Sequence, residues 1–167
     1  PILRRANARF STILPRATRI EKETDMVKSA WKMFPYPDKA YDYAGAALKK
    51  NWAALHRGDC EPFPDEAWVT KAIATHPRLD PKLPAAKAAD ALQGAWRAYH
   101  AGDCAGAAAQ GEALGLLGFN VANKAANIYA TYLETDDARQ LEIFQQSAAR
   151  AEKLQAVAKD FANAFYF

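Results

Sequence analysis

The sequence predicts an all-α protein of antiparallel helix pairs, on three observations. Half of its residues are apolar and many of these are alanine, the strongest helix former and small enough for close helix packing. Beyond residue 39, apolar residues recur at spacings of three and four, and no stretch alternates as a strand does. One amphipathic segment occurs twice, 44 residues apart.

Each element has its own signals. Met26 to Asp38 is aromatic and proline-rich (Trp31, Phe34, Pro35, Tyr36, Pro37) and reads as an extended arm on the first helix. Asp38 offers an N-cap, and a helix is predicted over 39–57 with Tyr41, Ala44, Leu48, Trp52 and Leu55 inward and Gly58 ending it. Residues 61–84 hold Pro62, Pro64, Pro77, Pro81 and Pro84 and read as a connector. A short helix over 65–75 within it buries Trp68 and Ile73.

Pro84 suits the first position of the next helix, which runs to about Ala101 with Leu92, Ala95, Trp96 and Tyr99 inward. Gly102-Asp103 makes a turn, and a small-residue helix follows from Cys104 to Leu114. A helix over 119–134 presents Ala122, Ala125, Ala126, Tyr129, Tyr132 and Leu133 on one face. Thr135 is placed to cap the next helix, where Leu141, Phe144, Ala148, Ala151, Leu154 and Ala158 step along one side. A last helix begins near Phe161.

The charge is +3, carried entirely by the first 25 residues. These hold six Lys/Arg against three Asp/Glu, which leaves 16 of the 22 basic and 16 of the 19 acidic residues beyond them. The body lacks the basic stripe of a nucleic-acid binder, and no apolar run approaches the roughly 20 residues of a membrane helix. No nucleic-acid or membrane partner is therefore expected. Two cysteines are too few for a disulfide framework.

Residues 1–25 stand apart. They read as disordered, as a targeting peptide, or as an untranslated upstream region, because Glu21-Lys22-Glu23 can be encoded by a ribosome-binding sequence spaced correctly before Met26. Met26 is the expected start, which makes the protein cytoplasmic. Residues 26–38 are then the arm, and 39–167 a helical-repeat domain continuing beyond Phe167.

The repeat pairs residues 44–60 (AGAALKKNWAALHRGDC) with 88–104 (AADALQGAWRAYHAGDC). Nine of seventeen positions match without a gap, including Trp52/Trp96, His56/His100, Gly58/Gly102, Asp59/Asp103 and Cys60/Cys104. Self-similarity of this length marks stacked supersecondary units. A helix ending in Gly102-Asp103, followed by a helix with Ala107 and Gly111 at its crossing points, resembles a tetratricopeptide repeat. Residues 44–60 match only a first helix of that pattern, and the proline-rich insertion accounts for the long period. Residues 119–158 form a third, divergent pair. The run from Tyr43 to Tyr166 resembles bacterial proteins in which further repeats follow. The resemblance implies a right-handed α-solenoid and a protein-interaction scaffold whose groove holds a peptide or helix of a partner, not an enzyme.

The side chains offer two kinds of site. Asn120, Asn123, Lys124 and Asn127 share one narrow helical stripe, although asparagine is a poor helix residue. Amides and an ammonium suit a peptide backbone or carboxylate. The resemblance places Asn120, Asn123, Lys124 and Asn127 in the groove as partner-binding residues, with Arg97 and Lys50 as lesser contributors; the alternative is a solvated face. The second kind is zinc. His56, Cys60, His100 and Cys104 supply two nitrogens and two sulfurs, as a metal-dependent sensor or enzyme would need. Against it, repeat packing sets the two turns roughly 10 Å apart. Histidine then caps a helix end, aspartate starts the next helix and cysteine fills a small buried place. No cofactor is expected. Arg57-Gly58-Asp59 spells an adhesion tripeptide but is explained by the turn, and His76 before Pro77 has no catalytic signal. Gly-rich phosphate loops, serine nucleophile motifs and carboxylate pairs at an interpretable spacing are absent from the sequence.

N-terminal sequencing of the native protein is expected to begin at Met26; a peptide spanning Asp25 and Met26 would overturn that start.

Overall fold

The structure, a computed structural model, describes residues 31–165. The chain divides into residues 1–30 and residues 31–167. The segment 1–25, the start at Met26, the arm up to Ala30, and Tyr166 and Phe167 lie outside the described residues.

Among the described residues there are six α-helices and no strand: α1 (Ala47–Leu55), α2 (Glu66–Thr75), α3 (Ala85–His100), α4 (Cys104–Ala113), α5 (Phe119–Tyr132) and α6 (Asp137–Gln155). From α2 onward each helix packs on its successor, and α3 also touches α5 across α4. The connections from α3 onward are short. No described helix is long and apolar enough to cross a membrane.

Aspartate caps fix three of the six helix starts. The carboxylates of Asp65, Asp103 and Asp136 accept the N–H groups of Trp68, Gly106 and Arg139, satisfying donors that a helix start leaves open. Asp136, not Thr135, therefore caps α6. Thr135 lies on a loop held by Glu134, whose Oε1 accepts the N–H groups of Thr135 at 2.8 Å and Asp136 at 3.1 Å.

Leu48, Trp52, Leu92, Ala95 and Trp96 pack with Val69, Ala72 and Leu79 in one core. Ala107, Ala108, Ala125, Ala126 and Tyr129 form a second between α4 and α5. That interface is close because it is built from small residues. A Cβ on Gly118 would lie 2.1 Å from the carbonyl oxygen of Gly111.

Four expected elements differ. Asp38 caps only one 3₁₀ turn (Lys39–Tyr41), and Gly45 at φ +54° separates it from α1, so Tyr41 and Ala44 are exposed. The arm lies on the later helices instead of the first. Trp31 stacks on Tyr129 at 4.3 Å, and Lys32 N–H donates to the Tyr129 hydroxyl at 3.2 Å. In α6 the inward residues are Ile143, Ser147, Ala151 and Leu154, followed by Ala158 beyond its end. Leu141, Phe144 and Ala148 are exposed, while polar Ser147 is buried and accepts a bond from Arg150 of the same helix at 3.2 Å. Tyr132 is likewise exposed, and the last helix is a 3₁₀ turn, Ala162–Phe165.

Gly118→Ala is expected to destabilise the protein by at least about 2 kcal/mol, since the methyl meets backbone that cannot turn aside. Urea unfolding measures it, and an unchanged midpoint would mean that α4 and α5 do not approach this closely.

Candidate functional site

The duplicated motif ends α1 and α3, and packing brings its two histidines together. Trp52 stacks on His56 at 3.9 Å between ring centroids, and Trp96 lies edge-on to His56 at 4.7 Å. Within this aromatic box His56 Nε2 is 3.2 Å from His100 Nε2. The two copies of the motif thus touch through their histidine side chains. The cysteines are placed differently, Cys60 exposed and Cys104 buried. Among the described residues no three or more His, Cys, Asp or Glu side chains gather as a metal site. The duplicated motif therefore supplies no four-ligand zinc set.

Hydrogen bonding orders the pair. His56 Nδ1 is 3.1 Å from Asp59 Oδ1, and a carboxylate only accepts, so Nδ1 carries the proton. Neutral His56 then offers a lone pair at Nε2, which accepts from the Nε2–H of His100. Lys124 closes the chain through an ion pair with Asp59 Oδ2. Burial, and then the charge of Lys124, pushes His56 down to about 4. Burial, and then His56, pushes His100 down to about 4. Both rings are neutral at neutral pH, and burial also lowers Lys124.

The asparagine stripe does not line an open groove. Asn120 and Asn123 are buried, and Lys124 and Asn127 are half-buried. Arg150 Nε of α6 donates to Asn123 Oδ1 at 2.7 Å, and its Nη1 meets Glu112 of α4 at 2.9 Å. Asn120 Nδ2 donates to Glu61 at 3.5 Å. The oxygens of Asn120 and Asn127 are buried without a partner. The chain's own turn 59–61 and α6 thus occupy the face that a bound peptide was expected to cover. Arg97 also serves the chain, donating to the carbonyls of Tyr43 at 3.2 Å and Gly45 at 3.5 Å. Of the six residues Lys50 alone is fully exposed, away from the stripe.

Two concavities flank the histidine pair. A groove of about 410 Å³ is lined by Phe34, Tyr41, Tyr99, His100, Ile128 and Tyr132, among others. Cys104 is also on its wall, but burial, and then Asp103, pushes its thiol up to about 11, so it is not a nucleophile. A smaller cavity of about 320 Å³ is lined by Asp59, Cys60, Glu61, Trp68, Asn120, Phe161 and Asn163, with Pro62, Asp160 and Ala162. There Glu61 is 8% exposed, and burial pushes its carboxyl up to about 7 despite the amide bonds from Asn163 and Asn120. The Asp59–His56–His100 chain runs from one concavity to the other. Of this smaller cavity's residues, Asp59, Cys60 and Asn120 stood out in the sequence, each for a different role. The signal available was Glu61 itself, a carboxylate set in a proline-rich connector directly after the repeated Asp-Cys.

No family model matches the chain, and no characterised protein or solved structure matches it either.

The histidines and Glu61 make opposite demands on pH. Both histidines have folded values below 6.5, so their contribution is complete above 6.5 and is lost as pH falls towards 4. Glu61 has a folded value above 4.5, so its contribution is complete below 4.5 and is lost as pH rises through 7. Between pH 4.5 and 6.5 the unfolded chain holds two extra histidine protons and the folded chain one extra on Glu61. Stability should therefore fall on acidification by roughly 1.4 kcal/mol per pH unit. In a His56→Gln, His100→Gln variant the slope should change sign. Urea midpoints between pH 4.5 and 6.5 measure both, and an unchanged slope in the variant would refute the buried neutral pair.

Proposed function

We propose that the chain is a protein-interaction scaffold of tetratricopeptide-like construction, a binding module and not an enzyme. The repeated helix-Gly-Asp unit supports this reading, as does the packing of α3 on α5 across the helix between them. The groove beside His100 is the observation that carries it. Its walls are mainly aromatic and aliphatic, and Tyr132 on its rim is 73% exposed.

The occupant is an extended partner segment carrying an aromatic or large aliphatic side chain. The protein's own arm is the precedent. Trp31 to Asp38 contains no helix, and it lies on this surface through the Trp31–Tyr129 stack and the contact of Phe34 with Gly102. Phe34 is itself on the groove wall, so the groove continues a surface already used to hold an extended aromatic segment. A volume of about 410 Å³ takes one or two large side chains. The partner therefore reads the outer end of the helix pairs, while the polar stripe on α5 holds the fold together.

Selection from a random heptapeptide library on the immobilised protein should enrich segments with aromatic or large aliphatic residues. Tyr132→Ser with Ile128→Ser should weaken a selected peptide at least about tenfold, as loss of an exposed tyrosine anchor does. The melting temperature should stay constant, because both side chains are exposed. Absence of enrichment, or equal binding by the variant, would refute the groove as the docking surface.

A further inference from the structure

The smaller cavity carries groups that the scaffold reading leaves unused. Both amide donors directed at Glu61, from Asn120 and Asn163, go to the same oxygen, Oε2. The bond from Asn120 Nδ2 fixes the orientation of that amide, and its Oδ1 is left buried with no partner. Asn120 is 8% exposed and stands on the cavity wall, so this is an acceptor withdrawn from water with nothing to accept from. Such an oxygen is destabilising while unpaired.

The cavity's other groups have the same polarity. Glu61 is an acceptor when ionised, and Asp160 adds a second carboxylate at the edge, 2.7 Å from His76 Nε2. Asp59 is on the wall as well, but its charge is already matched by Lys124. Among the described residues no lysine or arginine lines the cavity. Trp68 and Phe161 supply two aromatic walls, their centroids 5.9 Å apart and their planes inclined by 50°. The missing group is therefore a planar cation with several N–H donors. A guanidinium has a fork of donors for two acceptors and a flat face for an indole, whereas an ammonium is a compact, strongly hydrated point charge.

We propose that the cavity bounded by Glu61, Asn120, Asn163, Trp68 and Phe161 binds the guanidinium of an arginine side chain presented by a partner polypeptide. Its N–H groups donate to Glu61 and to Asn120 Oδ1, and its face lies against the aromatic wall. This site is separate from the apolar groove, and either can exist without the other.

The probes are capped pentapeptides Gly-Gly-X-Gly-Gly with X as arginine, lysine or norleucine, and methylguanidinium alone, titrated into the full-length protein. Trp68 fluorescence and the rate of thiol labelling are the readouts. Labelling reports the cavity because Cys60 is on its wall and exposed, whereas Cys104 is buried. The arginine peptide should saturate, slow the labelling of Cys60 and bind at least about tenfold better than the norleucine peptide. Methylguanidinium should compete with it. Glu61→Gln keeps the shape and removes the charge, and should weaken arginine binding at least about tenfold. Asn120→Ala should weaken it as well. Wild-type protein alone decides the matter if either variant fails to fold. Equal binding of arginine and norleucine would overturn the proposal, as would a lysine peptide that binds as well as arginine. So would the absence of any saturable effect on Cys60. Loss of arginine binding in Tyr132→Ser would assign the effect to the groove and overturn the cavity as its site.

Discussion

Arg150 of α6 reaches inward to Asn123 on α5 and to Glu112 on α4, and Lys124 reaches in the other direction to Asp59. These bonds form a polar seam through the middle of an alanine-rich fold. Buried amides and charges cost several kcal/mol each unless they are partnered, so the seam admits few arrangements of the elements that supply it. It ties the turn 59–61, α4 and α6 to a single face of α5. The alanine and glycine contacts between α4 and α5 bring the backbones close, but they are non-directional. The long side chains of the seam decide how far each helix slides along its neighbour.

The seam also settles which surface is left for other molecules. A stripe of amides on a first helix is a natural place to hold a peptide when it faces an open groove. Here α6 and the connector already satisfy most of it, and Arg97 is spent on the backbone at Tyr43 and Gly45. Among the described residues, the aromatic groove beside His100 and the acceptor-rich cavity behind Glu61 are open. The histidine pair stands between them as a neutral hydrogen-bonded link, and its low proton affinity comes from burial among the tryptophan rings that enclose it.

The helices were legible where local chemistry decides them. Asp65 before Trp68, Pro84 before an alanine run and Gly102-Asp103 between two helices each announce a boundary that the structure keeps. Errors arose where a distant residue overrides local pattern. Ser147 lies inward beside Arg150 of the same helix, whose guanidinium meets Asn123 and Glu112, 27 and 38 residues away, and no reading of apolar spacing gives a serine that place over Leu141 or Phe144. The asparagines of α5 sit where a solvated or ligand-binding stripe was expected, because their partners come from 27 and 59 residues away in the chain. Thr135 and Asp136 are both acceptable caps, and Asp136 takes the place, its carboxylate accepting the Arg139 N–H at 3.0 Å. The cavity was the least legible feature, since its residues come from the connector, α2, α5 and the final turn.

The two copies of the repeated motif show how one short sequence acquires two roles. Asp103 is followed by Cys104-Ala105-Gly106, and its carboxylate turns back to cap α4 through the Gly106 N–H at 2.8 Å. Asp59 is followed by Cys60-Glu61-Pro62-Phe63-Pro64, where two prolines within five residues forbid a helix. No helix start forms for Asp59 to cap, Cys60 adopts φ +51°, and the chain leaves the turn in an extended path. The Asp59 carboxylate is thereby free to orient His56 and to pair with Lys124. The same path carries Glu61 under Asn120, where the main-chain carbonyl of Glu61 accepts from the Trp52 indole at 2.7 Å and its side chain enters the cavity. The proline-rich insertion that lengthens the repeat is thus the feature that turns a helix cap into the wall of a binding site.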